Sequence, residues 1–288
     1  MNSPTEHTQH FPAYLNVSAS GLGQGTPVKV RILGDMGTIA LDLAQAFRQE
    51  IVDAAARDQA ATLIVPVGPV DHYVLLAGMI NRERIDCRNV MLINMDEYLT
   101  DDDEYLHIRH PLSFRGFMNR LFYDLLDPQL APLPENRVFP DPKCPEEIQR
   151  LIAARGGVDA CFGGIGINGH IAFNEPPEPG EKVSVEEYAK RPTRVLSLTR
   201  ETRTINSNTV GGEISIIPYR AVTVGMAECL GARRLRLYCN RVWQSAVARR
   251  VLHGPITPAC PSSLMRLHPD AMLTVADYVA QPPNIMLR

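Results

Sequence analysis

The chain has 288 residues, 45% of them hydrophobic, and its 29 basic and 32 acidic residues leave a formal net charge of −3. Such a composition supports a substantial buried core, but it lacks the basic surplus a nucleic-acid partner requires and any run of 18 apolar residues able to span a bilayer. Six cysteines stand singly without CxxC spacing, which argues against a zinc site and for reduced thiols; with no secretory-leader pattern, a cytoplasmic protein is expected.

Residues 1–26 are polar and aperiodic and are expected to form a mobile extension, leaving 27–288 as one domain. Residues 28–33 read as a strand, and 37–56 as a helix with Ile39, Leu43, Ala46 and Phe47 on one face. Residues 62–67 form the second predicted strand, and Gly68 and Pro69 turn the chain into another helix. A third strand covers 90–94. Residues 111–126 read as a helix whose Phe114, Phe117, Met118, Leu121 and Phe122 face a core. Later strands are predicted at 158–162, 221–225, 235–239 and 271–275, with a helix over 242–252.

This alternation predicts an α/β protein with a Rossmann-like, mostly parallel sheet covered by helices on both faces. Ligands of such sheets bind beyond the carboxyl ends of the strands, near the topological switch point. The loops at Gly68, Asp96 and His170 each follow a strand directly, so they are expected to meet on one rim despite their separation in sequence.

Residues 162–176 hold the densest chemistry. The run ends a strand, turns on Gly163, Gly164, Gly166 and Gly169, and presents Asn168, His170, Asn174 and Glu175 within eight residues. Histidine is suited to proton transfer near neutral pH, and a neighbouring carboxylate orients it and raises its basicity. The segment Asn94, Met95, Asp96, Glu97, Tyr98 follows the third strand. A carboxylate at a strand end, beside a second acid, is in a setting that tunes it toward general-base range.

Together, NMDEY at 94–98 and GIGINGHIAFNEP at 164–176 resemble the glucosamine-6-phosphate deaminase (isomerase) family, within a superfamily that also holds 6-phosphogluconolactonases. Weaker echoes at Thr199, Thr202, Arg203, Asn206, Ser207 and 222–225 extend the likeness over about residues 28–280. The resemblance implies an enzyme that converts an aminosugar to a ketose and ammonia without metal or cofactor. His170 would open the sugar ring, Glu175 and Asn168 would orient that histidine, and Asp96 would carry a proton from C2 to C1. Its partner would be a small sugar or sugar phosphate, and such enzymes are often homo-oligomers. The implied substrate contacts are Gly68, Pro69, Val70, Asp71, Glu97, Gly166, Gly169, Asn208, Arg241 and Gln244.

The chain departs from the family pattern in two places. Position 168 is commonly Asp, whereas Asn168 adds no charge. The phosphate-binding turn is replaced by Val67, Gly68, Pro69, Val70 and Asp71, in which Pro69 lacks an N–H and Asp71 adds negative charge. The family's phosphate-binding Arg falls on Asn208 and its Lys on Gln244, while a one-turn shift would bring Arg241 to the site. Proton-transfer residues are thus present while the phosphate clamp is altered, so a nonphosphorylated or differently substituted sugar is a serious variant. The alternatives are a non-catalytic sugar-sensing module and a sugar-lactone hydrolase. The short N-terminal tail and the full set of proton-transfer residues disfavour the first, and the Asn174, Glu175, Pro176 ending disfavours the second.

Overall fold

The computed structural model describes residues 11–68 and 71–285; residues 1–10, the turn residues Pro69 and Val70, and residues 286–288 lie outside the described residues. In chain order the strands are β1 (Lys29–Leu33), β2 (Thr62–Val65), β3 (Met91–Asn94), β4 (Asp96–Leu99), β5 (Arg137–Val138), β6 (Ala160–Gly164), β7 (Arg194–Ser197), β8 (Arg220–Thr223), β9 (Arg234–Cys239) and β10 (Ala271–Ala276). The α-helices between them are α1 (Met36–Ala55), α2 (His72–Glu83), α3 (Phe114–Leu121), α4 (Glu147–Ala154), α5 (Val185–Ala189), α6 (Arg200–Asn206), α7 (Met226–Leu230), α8 (Gln244–His253) and α9 (Asp277–Ala280).

Seven strands form one parallel sheet in the order β1-β10-β9-β6-β2-β3-β5. Every residue of β2 and β3 is buried. Successive strand side chains point to opposite faces, so full burial means that helices cover both faces, as the unbroken apolar runs predict. On one of these faces Phe47 of α1 stacks on Phe162 of β6 with ring centroids 4.3 Å apart. From β2 the chain builds outward through β3 and β5, then returns to β6 and builds the other way through β9 and β10. The crevice between β2 and β6 is therefore the topological switch point.

The segment 221–225 does not join the parallel sheet. It belongs to β8, the centre of a second, antiparallel sheet in the order β4-β8-β7. Residues 96–99, which read as a polar loop, are recruited into this sheet by pairing Asp96 with Thr223 and Tyr98 with Ala221. A small apolar core of Tyr98, Phe173, Leu198, Ile217 and Ala221 accompanies it, with Leu112 and Phe114 packed alongside.

The predicted helix over 111–126 is shorter. It begins at Phe114, where Ser113 Oγ accepts the Gly116 N–H at 3.2 Å. Beyond Leu121 the chain tightens into a 3-10 turn over Tyr123–Leu125. The packing boundary also differs from residue 26. Residues 11–26 contain two 3-10 turns, Ala13–Asn16 and Ala19–Gly21. The Gly23 N–H donates to His253 Nε2 at 3.1 Å, and Arg249 Nε donates to Val17 O at 2.8 Å. Arg249 is fully buried without a carboxylate partner among the described residues, and its guanidinium also donates to the carbonyls of Ser245, Val279 and Ala280. It fastens both ends of the described chain to α8.

Candidate active site

A cavity of about 320 Å³ opens at the switch point. Its walls include Gly68 after β2, Asp96 after β3, Gly164 and Gly166 at the end of β6, and Asn240 and Arg241 after β9. The three loops expected to converge do so. The opposite wall comes from the second sheet and its core: Tyr98, Leu112, Phe114 and Phe173, with Asn206 at the end of α6 and Thr209 in the turn after it.

Asp96 lies where the chain passes from one sheet to the other. The Met95 N–H still donates to Val65 O in the parallel sheet at 2.9 Å, while Met95 O already accepts from Val224 N at 2.7 Å. Asp96 is 8% exposed. Burial, with a smaller contribution from the Glu97 carboxylate, pushes its pKa up from 3.8 to about 8.

Glu97 points away on the alternate face of β4 and is fully buried. Its carboxylate accepts the backbone N–H groups of Tyr98, Phe114 and Arg115 at 2.9, 2.9 and 2.8 Å, and Arg115 Nε lies 3.4 Å away. Burial raises its pKa against these opposing hydrogen bonds. Glu97 thus anchors the start of α3 and is not placed to contact a substrate, contrary to the expectation from sequence.

His170 lies at the centre of a bonded loop. Asn168 Oδ1 is 2.9 Å from His170 Nδ1 and also accepts the His170 backbone N–H at 3.2 Å. Asn168 Nδ2 donates to Glu175 Oε2 at 2.6 Å. The amide therefore bridges the imidazole and the carboxylate, which themselves stand 3.6 Å apart. Thr202 Oγ1 lies 3.3 Å from the same ring nitrogen, and the Thr199 N–H donates to Glu175 Oε1 at 3.2 Å. An Asn oxygen only accepts, so Nδ1 carries the hydrogen, and Nε2 is left as the nitrogen available to exchange a proton. Burial alone would raise the Glu175 pKa, but hydrogen bonds and charge from His170, then bonds from Thr202 and Asn168, hold it down at about 2. Thr199 and Thr202 were visible in sequence only as weak echoes; their spacing around the α6 N-cap brings both to this network.

The loop is held by its glycines. A Cβ on Gly166 would overlap the His170 ring. Gly169 has φ +91°, and a Cβ there would stand 2.5 Å from Cys260 Sγ. Both N–H groups are used inside the loop, Gly166 to His170 O and Gly169 to Gly166 O at 3.0 and 2.9 Å. Both residues thus shape the loop, and neither N–H is available to a ligand. Ala172 follows at φ 53°, an unfavourable left-handed conformation for a residue with a Cβ, in the middle of the motif. Asn174 is fully buried and donates to Ile171 O and Val224 O, while Arg194 donates to its oxygen.

The remaining predicted contacts divide. Gly68, Arg241 and Gln244 line the cavity. Asp71 is instead exposed at the N-cap of α2, in a left-handed conformation. Asn208 is exposed and bonded to Ile205 O at 3.1 Å; Asn206, at the end of α6, and Thr209, in the turn after it, line the cavity instead. Pro69 and Val70 lie outside the described residues. Among the described residues no group of three or more His, Cys, Asp and Glu side chains is arranged to hold a metal, and no helix is long and apolar enough to cross a membrane.

A mostly parallel sheet with a cavity at its switch point, lined by Asp96 and His170, defines a Rossmann-like α/β protein. The chain belongs to the glucosamine-6-phosphate deaminase family. It is 30% identical over 256 residues to a glucosamine-6-phosphate deaminase of Streptomyces avermitilis, covering 85% of this chain and 92% of the relative. The corresponding Pseudoalteromonas translucida protein is also 30% identical over 256 residues, covering 88% of this chain and 89% of the relative. Among solved structures, a monomeric glucosamine-6-phosphate deaminase described as a missing link of the NagB superfamily aligns with TM-score 0.74 and 25% identity over 88% of this chain and 99% of that one. The 6-phosphogluconolactonase of Trypanosoma cruzi shares the fold at TM-score 0.63 and 15% identity, over 88% of this chain and 96% of that one. No protein-family model matches the chain.

Proposed function

We propose that the protein is an aminosugar deaminase and aldose–ketose isomerase that consumes one water and releases ammonia, with altered recognition where relatives hold the 6-phosphate. The observation that carries this reading is one cavity lined by both Asp96 and His170, the latter with its Nδ1 side occupied by Asn168. Nε2 of His170 exchanges a proton with the ring and anomeric oxygens, opening the pyranose. The Asp96 carboxylate takes the C2 proton and returns it to C1, turning the amine-bearing aldehyde into a C2 imine. Water adds to that imine, and ammonia departs.

This chemistry needs positioned acid and base groups. Asp96 acts as a base only when ionised, and an aminosugar ammonium in the same cavity favours that state, acting against the burial that raises its pKa to about 8. The test is ammonia release from glucosamine 6-phosphate and glucosamine, with Asp96→Asn as control. Turnover of either sugar that vanishes in the variant supports the reading; turnover that survives it removes Asp96 from the mechanism. Subunit association, expected from the sequence, is checked by light scattering of the purified protein.

A further inference from the structure

Arg241 is the one Lys or Arg lining the cavity among the described residues. Neighbouring arginines are committed elsewhere: Arg203 to the carbonyls of Ile214 and Ile217, Arg194 to Asn174, and Arg115 to Glu97. Arg241 forms no ion pair among the described residues; its Nη1 rests 3.5 Å from Met36 Sδ, a weak acceptor. Its guanidinium is therefore a cation without an ion pair at the rim of a cavity whose other described lining residues, apart from Asp96 and His170, are apolar or neutral.

Its backbone is nevertheless fixed. Gln244 Oε1 accepts the Arg241 N–H at 2.7 Å, and Gln244 Nε2 donates to Ile165 O at 2.8 Å. Gln244 is 5% exposed, with both ends of its amide used. It serves as a positioning residue, tying the turn that carries Arg241 to the end of β6, and is not available as a hydroxyl ligand.

Resting on the deaminase reading, we propose that Arg241 is the anion-recognition element and that the substrate is an aminosugar bearing a carboxylate, a 2-amino-2-deoxyhexuronate. One planar guanidinium matches one carboxylate in charge and in its two-pronged geometry. A phosphate monoester carries a charge of about −1.5 to −2 at neutral pH. With one cation present, its excess charge faces Asp96, which must itself ionise to act. A neutral sugar leaves the guanidinium without a counter-charge. The reaction balances as aminohexuronate plus water giving ketohexuronate plus ammonia, with the carboxylate a spectator bound by Arg241.

The experiment compares kcat/KM for ammonia release from 2-amino-2-deoxyglucuronate, glucosamine and glucosamine 6-phosphate, in the wild-type protein, Arg241→Met, Arg241→Lys and Gln244→Ala. A charge-assisted contact of this kind predicts a preference for the uronate of roughly 10- to 100-fold over both other sugars. Arg241→Met collapses that preference toward unity mainly through KM. Arg241→Lys restores part of it, and Gln244→Ala weakens it without changing the pH profile. Preference for the phosphate ester, or for the neutral sugar, overturns the substrate class and leaves the deaminase standing. Silence on all three sugars overturns the deaminase reading with it.

Discussion

Replacing Asn168 with Asp is the sharpest test of the bridge between His170 and Glu175. The amide donates to Glu175 Oε2 at 2.6 Å and accepts from the imidazole side at 2.9 Å. Asn168→Asp turns the first contact into two carboxylates facing each other. At a charge separation of about 4 Å and an effective dielectric of about 20, their repulsion is about 4 kcal/mol, equivalent to about three pKa units. The cluster responds by holding one additional proton, shared among the two carboxylates and the imidazole. Glu175, held at about 2 in the native protein, has no counterpart proton to give up above pH 4. We therefore expect Asn168→Asp to move the acid limb of kcat/KM for ammonia release upward by about one to three units. Thermal stability should also become pH-dependent between about pH 4 and 7, from the ordinary carboxylate value to one about three units higher, falling as the extra proton leaves. The assay is a pH–rate profile paired with thermal unfolding across the same range. An unshifted profile with unchanged stability would refute the bridging argument.

Further outcomes follow from the same geometry. Asp96 has a folded pKa of about 8 against an ordinary 3.8, so its ionisation costs stability progressively as pH rises between those values. Asp96→Asn should be inactive yet more resistant to denaturant than wild type, by on the order of 3 kcal/mol at pH 9 and by little at pH 4, measured as unfolding midpoints; an equal gap at both pH values contradicts the buried-base assignment. Gly166→Ala displaces the imidazole and should lower kcat roughly 100-fold with little change in circular dichroism. Arg249→Leu leaves the carbonyls of Val17, Val279 and Ala280 without their donor. It should cost on the order of 3 kcal/mol of stability, and limited proteolysis should then cut within residues 11–26.

The parallel sheet was legible because its strands are short apolar runs and its helices are amphipathic. The meeting of Asp96 and His170 at one cavity, with Glu175 beside the imidazole, is legible because their motifs are compact and lie at strand ends. What escaped depends on contacts between distant segments. Residues 96–99 contain two acids and read as loop; only pairing with β8 makes them a strand. Glu97 reads as a second site acid, yet its partners are N–H groups at 98, 114 and 115, two of them distant in sequence. Gln244 reads as a substrate contact because an amide bonded to the backbone is indistinguishable in sequence from one that binds a ligand until its two partners are seen. Asn208 is displaced for a local reason: it lies in the 3-10 turn that follows α6, where its neighbours Asn206, at the helix end, and Thr209 line the cavity in its place.

Thr223 and Val224 touch both halves of the proposed proton-transfer site. Asp96 pairs with Thr223 and the preceding Met95 carbonyl accepts the Val224 N–H. On the other side, the Phe173 N–H donates to Thr223 Oγ1 and Asn174 donates to Val224 O. Acid and base therefore share one mount, while Arg241 stands on the turn between β9 and α8, a separate support. On the proposed reading, a lineage can exchange the group it grips at that turn without re-aiming the two residues assigned to proton transfer, so new substrates are accessible through changes at the rim while the reaction is kept.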